Sequence, residues 1–559
     1  MSKPSNKQNF LHGAALLALA VAIVKVIGAV YKIPLKAIIG DVGYSYFNTA
    51  YDIYTLLLTI STAGLPIAMS RMISQAHSLG HYNRVRQIYR VSRALYLGLG
   101  MVCTLVMGLL CTWLAEIMGQ PGAWTAILCL APCGLLMGFM SAYRGFFQGQ
   151  GNMAPTSSSQ VLEAVCKLIV GLSAAYGAMA LTQSVSYAAG GAILGVSVSC
   201  LFSAVYLHGK FRPAYRELPV SMEEVDSFQK TTGQLLSIAI PITVGSAGLQ
   251  LLNVLEIGIY MDRLEQLLSS GLYQGELIPV LEQEVQRLPE YTADKQYSLM
   301  ASSLKGIYNF AYTVFNMPCS FIIPINTSVL PAITACLTLG DAKGVRSTEE
   351  SAARITGLLS LPCAVGLMVL AEPVMGLLGG YTGEKLALAG QLMALLGCAV
   401  FLYSFVMFTN VLLQSHGMAH IPVINTLLCG TVKLATMYVL TGNPAIGIAG
   451  VPICSILCYL FIVILNLAVI ARRVPQKPRL LRNLVKPFFP AAFMGVAVYG
   501  VTYLLQNILH ISSNTLLCAV PIFVGVIVYV ILIPVFKVIT REDCMLLPKG
   551  EKIAKLLKL

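Results

Sequence analysis

Long apolar segments, separated by short polar breaks, follow one another along almost the whole chain. They have the length that a helix needs to cross a hydrocarbon core, about 20 residues. Because backbone polar groups in lipid must find partners within their own segment, we expect helices rather than open strands. The pattern predicts an all-α polytopic membrane protein with about fourteen transmembrane helices. The predicted segments are residues 10–31, 44–69, 90–113, 122–147, 156–181, 186–208, 233–260, 304–333, 352–371, 387–413, 418–440, 445–471, 484–506 and 514–536.

The composition agrees with a membrane protein. Of the 559 residues, 57% are hydrophobic and 11% are charged, against about 25% charged residues in soluble domains. The net charge of +13 would suit a nucleic-acid-binding protein, but the basic residues lie in short loops on one side of the predicted helices. The 15 cysteines are scattered mostly through the apolar segments without a C-x-x-C pair, which indicates reduced, packed thiols.

Basic residues are concentrated in alternate connections between the predicted helices. With the N-terminus in the cytoplasm, most of the 37 Lys and Arg residues fall on the cytoplasmic side, as the positive-inside rule requires. The outer side receives few, among them Lys32, Lys36 and Lys305, together with an acidic connection at about residues 260–303. The run LEQEVQRL in this connection predicts a short surface helix. This distribution predicts an even number of spans, with both termini cytoplasmic.

Two parts of the chain resemble each other, which indicates an internal duplication. At one common offset, three pairs match: Gln148 with Gln414, Gly151 with Gly417, and Lys167 with Lys433. Further upstream, Leu79-Gly80 and Val85-Arg86 match Leu339-Gly340 and Val345-Arg346. The repeat predicts two parallel six-helix lobes, residues 1–230 and 231–471, followed by two C-terminal helices and a basic tail in 472–559. Two lobes around a cleft are what transport by alternating access needs.

The N-terminal stretch KVIGAVYKIPLKAIIGDVGYSYFNTAYDIYTLLLTISTAGLPIAMSRMISQ and the motif FFQGQGNMAPT resemble those of a known family. This is the multidrug/oligosaccharidyl-lipid/polysaccharide (MOP) flippase superfamily, in its stage V sporulation protein B and lipid II flippase branch. The resemblance implies a bacterial plasma-membrane protein that moves an undecaprenyl-pyrophosphate-linked saccharide, with lipid II as the expected substrate, from the inner to the outer leaflet. It also implies membrane lipids, and enzymes of cell-wall or spore-cortex synthesis, as partners, with no nucleic acid.

Two other functions fit part of the pattern. A cation-coupled multidrug exporter of the same superfamily would be expected to have a carboxylate-rich cleft, whereas this chain offers lysines. A non-transporting scaffold for cell-wall assembly would suit the basic loops but leaves the charges within the helices unexplained. The chain has no ATP-binding motif and no catalytic constellation, so we expect a transporter rather than an enzyme. We expect no cofactor or metal site, and coupling to a cation gradient or to the membrane potential.

Ionisable residues within the predicted helices are the candidate site residues, because such charges are costly in a membrane. Lys25 lies about halfway along the first helix, at a position where the family has an arginine, and is either an anion site or the partner of a carboxylate. Lys32 lies near the outer end and is either an interfacial anchor or functional. Asp52 could pair with Lys25, take part in proton or cation coupling, or lie at the wet interface.

Four further candidates lie in the fifth, seventh and eleventh predicted helices. Glu163 and Lys167 are four residues apart, in the favourable orientation for a helical ion pair that neutralises itself. Lys433, the repeat equivalent of Lys167, has Cys429 where a carboxylate would be. It could face the cleft or pair with Glu256, near the end of the seventh helix. The substrate-binding set is therefore Lys25, Lys32, Asp52, Glu163, Lys167, Glu256 and Lys433.

Overall fold

The computed structural model describes residues 5–62, 64–219, 226–273, 275–475, 478–511, 513–536 and 538–539. Within these ranges the chain forms helices and no strand. The helices are α1 (Ser5–Thr62), α2 (Leu65–Ser78), α3 (Tyr82–Leu109), α4 (Cys111–Ile117), α5 (Trp124–Leu130), α6 (Pro132–Gly149), α7 (Ala154–Thr182), α8 (Val185–Arg216), α9 (Phe228–Ser269), α10 (Leu277–Gln286), α11 (Gln296–Thr338), α12 (Ala342–Val369), α13 (Ala371–Gly379), α14 (Gly383–Ser415), α15 (His420–Thr441), α16 (Gly450–Arg473), α17 (Leu480–Tyr503) and α18 (Asn514–Val535).

The predicted helical segments lie largely on helical residues, and α10 falls on the predicted surface helix. Within the described residues, eleven helices are long and apolar enough to cross a membrane, or twelve if a bent pair formed by α1 and α2 is one span. The chain is therefore a multi-pass helical membrane protein. The predicted number of fourteen spans stays a prediction.

The first helix differs from the prediction. Residues 32–43 were expected to connect two helices, but α1 is interrupted only at Gly40, whose φ of 65° and ψ of −171° are not helical. Glycine adopts this positive φ without a steric cost. The first arm (5–39) and the second arm (41–62) lie side by side, since the rings of Tyr31 and Phe47 are 5.9 Å apart. Lys32 and Lys36 therefore belong to a helix rather than to a polar loop.

The duplicated segments have the same backbone geometry at their matching glycines. Gly80 and Gly340 have φ angles of 76° and 70°, and Gly151 and Gly417 have 77° and 75°. After Gly151 and Gly417, the next amide donates to a carbonyl five residues earlier, at 3.0 Å in both copies. Each repeat thus ends the equivalent helices with the same left-handed glycine turn.

The contacts divide the chain into two compact units: residues 1–269 with 281–306, and residues 270–280 with 307–559. In the first unit, α9 packs on α1, α2 and α3, and a Cβ on Gly64 would lie 2.0 Å from the carbonyl oxygen of Ala239. In the second unit, α12 packs against α14 and α17. There the Tyr529 hydroxyl of α18 donates to the Leu358 carbonyl at 2.8 Å. The predicted lobes, 1–230 and 231–471, stay a prediction about the duplicated segments.

Helices α7 and α8 approach each other closely in the first unit. A Cβ on Gly195 would lie 2.3 Å from the Cα atom of Gly171, and one on Gly191 would lie 2.6 Å from the Ala174 carbonyl oxygen. Small residues let helix backbones approach in this way in membrane proteins. The contact fixes the position of α7, which carries two of the candidate residues.

Candidate functional site

A cleft of about 280 Å³ opens in the first unit between the first arm of α1, α6 and α7. Its α1 wall is largely apolar, with Val21, Val24 and Ile27. Its other walls carry polar and charged groups. The ionisable residues that line it are Lys25, Arg144, Glu163 and Lys167. The structure thus brings three of the predicted site residues, from two distant segments, into one cavity.

Arg144 is the charged residue of the cleft that the sequence did not single out. It lies within α6, near the C-terminal end of that helix. Its Nη2 donates to Glu163 Oε2 at 3.1 Å, and its Nε donates to Ser159 Oγ at 3.1 Å. Glu163 therefore forms its ion pair with Arg144, and its interaction with Lys167 is a longer-range electrostatic one. No periodic signal relates Arg144 to Glu163, because they lie on different helices.

Lys167 is held by aromatic rings from both arms of α1. Its Nζ lies 5.2 Å from the ring centre of Tyr31 and 5.5 Å from that of Tyr51. It is also 3.5 Å from the Tyr51 hydroxyl. The Tyr31 hydroxyl in turn donates to the Ala192 carbonyl at 3.2 Å. Each cation–π contact stabilises an ammonium group by about 0.5–2 kcal/mol, so the two rings hold the end of the Lys167 side chain between the arms of α1.

A second charged cluster, also in the first unit, lies on the second arm of α1 and the start of α11. Lys305 is fully buried, and its Nζ donates to Thr49 Oγ1 at 2.6 Å. Asp52 interacts electrostatically with Lys305, Lys32 and Glu256. The predicted pairing of Asp52 with Lys25 is not among its interactions. Lys305, which the prediction places at the start of a helix beginning at residue 304, lies further inside its helix, because α11 begins nine residues earlier, at Gln296.

A chain of buried hydrogen bonds continues from Thr49. Its hydroxyl donates to the Ser45 carbonyl at 3.0 Å, and the Ser45 hydroxyl donates to Gln120 Oε1 at 2.8 Å. Gln120 Nε2 then donates to Ser302 Oγ at 2.9 Å, which returns to α11. Buried polar groups of this kind are costly unless each has a partner. The network therefore fixes the start of α11 against the second arm of α1.

The remaining predicted residues lie elsewhere. Glu256 is half-buried on α9, and Lys433 is half-buried on α15 in the second unit.

The second repeat lacks the equivalent of Arg144. At the sequence offset that relates Lys167 to Lys433, the residue that corresponds to Arg144 is Asn410. Asn410 Oδ1 accepts from Asn466 Nδ2 at 2.8 Å, and Asn466 Oδ1 accepts from Asn425 Nδ2 at 2.9 Å. The second copy thus has Asn410 and Cys429, both uncharged, where the first copy has the Arg144–Glu163 ion pair.

The chain is similar to known proteins in sequence and in fold. A family described as "Polysaccharide biosynthesis protein" matches residues 10–336, and one described as "Lipid II flippase MurJ" matches residues 297–519. Stage V sporulation protein B of Bacillus subtilis is 24% identical over 97% of this chain and 98% of its own length.

Two solved structures share the fold. A lipid II flippase MurJ in an inward closed conformation is 12% identical, with a TM-score of 0.65, over 93% of this chain and 98% of that chain. An inward-facing MATE family multidrug resistance transporter of the MOP superfamily is 14% identical, with a TM-score of 0.60, over 82% and 94%. These structures show the same fold, and the match over residues 10–336 confirms the resemblance at the level of the polysaccharide biosynthesis protein family.

Proposed function

The chain belongs to the polysaccharide biosynthesis protein family, and on this premise we propose that it moves a lipid-linked saccharide from the inner to the outer leaflet of a bacterial plasma membrane. The proposed substrate is an undecaprenyl-pyrophosphate-linked saccharide, lipid II in the first instance. The observation that carries the proposal is the cleft of the first unit, where cationic side chains line a cavity among candidate membrane helices. The match to the lipid II flippase family over residues 297–519 supports the same substrate class.

The charge of the cleft suits an anionic headgroup. Lys25, Arg144 and Lys167 are opposed by one carboxylate, Glu163, so the cavity carries an excess of positive charge. Arginine and lysine both bind phosphate, arginine as a planar fork and lysine as a point charge. Lys25 is exposed, so its ammonium is accessible to a ligand. A cationic drug would meet repulsion at the same place.

The shape of the cleft suits a lipid that carries such a headgroup. Val21, Val24 and Ile27 form an apolar wall on the first arm of α1, opposite the polar residues of α6 and α7. A pyrophosphate can therefore contact the charged walls while apolar chain lies along α1. In the proposed mechanism, Lys25 contacts the pyrophosphate first, and Lys167 and Arg144 hold it.

The energy for transport would come from the membrane rather than from a nucleotide. The potential is worth about 2.3 kcal/mol per charge per 100 mV, and its sign, negative inside, favours outward movement of an anion. A coupling cation or proton remains part of the proposal. Asp52 is the candidate group for it, since it lies among Lys32, Lys305 and Glu256.

The experiment measures lipid II exposed on the outer leaflet of cells depleted of their own flippase. We expect the wild-type protein to restore exposure, and Lys25→Ala to lose it at unchanged membrane insertion. The matched control is Lys210→Ala, which removes an exposed lysine at the end of α8, outside the cleft. Equal exposure with Lys25→Ala and Lys210→Ala would refute the anion site.

Two other outcomes would replace the proposal. If the inserted wild-type protein restores no lipid II, and cation-driven dye efflux appears instead, the protein is an exporter. If neither activity appears, and cell-wall assembly is unaffected by Lys25→Ala and Lys433→Ala, the protein is a scaffold, because a scaffold should tolerate the loss of charges within its helices.

A further inference from the structure

A second cavity, of about 520 Å³, lies within the second unit. It opens where α12 ends, where α13 and α14 begin, and where α17 ends. Helices α12 and α17 begin beside basic residues, among them Lys343, Arg346, Arg479 and Arg482. The positive-inside rule therefore predicts that the cavity, at the opposite ends of these helices, faces the outer side of the membrane.

The lining of this cavity is mixed, with polar side chains beside apolar ones, and it contains no basic residue among the residues that the structure describes. Glu372, Gln391, Gln506 and Asn507 line it, and no Lys, Arg or His is among its lining residues. Side-chain amides can donate and accept hydrogen bonds at once, as hydroxyl groups can, and a carboxylate accepts. The cavity thus suits a neutral ligand rich in hydroxyl groups, and it lacks the cations that a phosphate needs.

Two tyrosines on α17 lie side by side at the edge of the cavity. The rings of Tyr499 and Tyr503 are one helical turn apart, 6.5 Å between centres, at an interplanar angle of 29°. Both are exposed, at 64% and 53%. Rings aligned along one face offer an apolar surface with polar tips. Such a surface fits the apolar face of a sugar ring, whereas a cage for an organic cation would place rings around the ligand.

The backbone changes where the amides face the cavity. The α17 helix passes into a π-helical segment, Leu504–Ile508, in which the Leu509 amide donates to the Leu504 carbonyl at 3.0 Å. Single π-helical turns are rare and are frequent at functional sites. Gln506 and Asn507 both lie in this segment.

A glycine makes room for the carboxylate. A Cβ on Gly390 would lie 2.4 Å from Glu372 Cγ, so a larger residue on α14 would displace the Glu372 side chain. One carboxylate, three side-chain amides and two tyrosines therefore line the same cavity.

We propose that this cavity binds a neutral saccharide unit, with the tyrosines under the sugar ring and the amides and Glu372 on its hydroxyl and acetamido groups. The proposal goes beyond the transport of a lipid-linked anion by the first unit. It does not depend on which molecule crosses the membrane, and it needs no phosphate.

The test is calorimetric titration of the full-length protein in lipid nanodiscs with the soluble, phosphate-free disaccharide N,N′-diacetylchitobiose. We expect the wild-type protein to bind it, Tyr499→Ala to weaken binding about tenfold, and Asn507→Ala to weaken it about fivefold. The control is Tyr176→Ala, a tyrosine of α7 with a similar exposure of 67%, which should bind like the wild type.

Three results would overturn the proposal: no binding to the wild-type protein, equal binding by Tyr499→Ala and Tyr176→Ala, or binding of tetramethylammonium in preference to the disaccharide. The last result would assign the cavity to cations. The disaccharide carries no phosphate, so a failure to bind it would not change the interpretation of the lipid II exposure experiment. Conversely, loss of exposure with Lys25→Ala would not bear on the cavity of the second unit.

Discussion

The contact between Lys305 and Thr49 allows a quantitative test of the buried polar network. Both side chains are fully buried, and the ammonium donates to the hydroxyl at 2.6 Å. Valine keeps the shape of threonine but offers no acceptor. A hydrogen bond to a charged group contributes about 1.5–3 kcal/mol, so we expect Thr49→Val to lower the free energy of unfolding of the first unit by about 2 kcal/mol.

A double-mutant cycle separates this contact from other effects of the substitution. Lys305→Met removes the ammonium and leaves Asp52 without one of its opposite charges. We therefore expect it to lower the free energy of unfolding by about 3–5 kcal/mol. In a protein that already carries Lys305→Met, Thr49→Val should lower the free energy of unfolding by about 0.5 kcal/mol or less. The reason is that the ammonium group for which Thr49 is the acceptor is already absent. The expected coupling free energy is therefore about 1.5–3 kcal/mol.

The assay is unfolding by SDS titration in mixed micelles, followed by tryptophan fluorescence. The two tryptophans of the chain, Trp113 and Trp124, both belong to the first unit, so the signal reports on the unit that holds the contact. The control is Thr55→Val. Thr55 lies on the same arm of α1, and its hydroxyl donates only to the Tyr51 carbonyl of its own helix, at 2.7 Å.

Two results would refute this reasoning. One is a Thr49→Val protein as stable as the Thr55→Val control. The other is a pair of single substitutions whose effects add in the double variant, since additivity would mean that the two side chains do not act on each other.

Two further predictions concern glycines. Gly195→Leu should prevent α7 and α8 from packing, because even a Cβ would lie 2.3 Å from the Gly171 Cα atom; size-exclusion chromatography should show aggregated protein, while Gly177→Ala, with nothing within 4 Å of its Cβ, should elute normally. Gly151→Ala and Gly417→Ala should each lower the free energy of unfolding by about 1–2 kcal/mol, because the two glycines have φ angles of 77° and 75°. Thermal unfolding that differs strongly between the two variants would contradict the equivalence of the repeats.

Hydropathy, charge and repeat determined the general character of this protein without reference to its structure. An apolar segment of membrane length can satisfy its backbone only as a helix, so the class follows from local composition. The duplicated turns were also readable, because a left-handed turn at Gly151 and Gly417 needs the same residue type in both copies. Lys25 and Lys167 stood out because a charge within an apolar helix is itself a sequence-level signal.

Only the tertiary structure decided which charges meet. The predicted pair of Glu163 with Lys167 rested on a helical spacing that contributes about 0.2–0.5 kcal/mol. A charge-assisted hydrogen bond from Arg144, on a neighbouring helix, is stronger than such a helical pair. No regular spacing along the sequence predicts it. Lys305 was assigned to the outer side because it stands near the predicted end of a helix. Thr49 lies 256 positions earlier in the chain, so the burial of Lys305 against it is a property of tertiary packing alone.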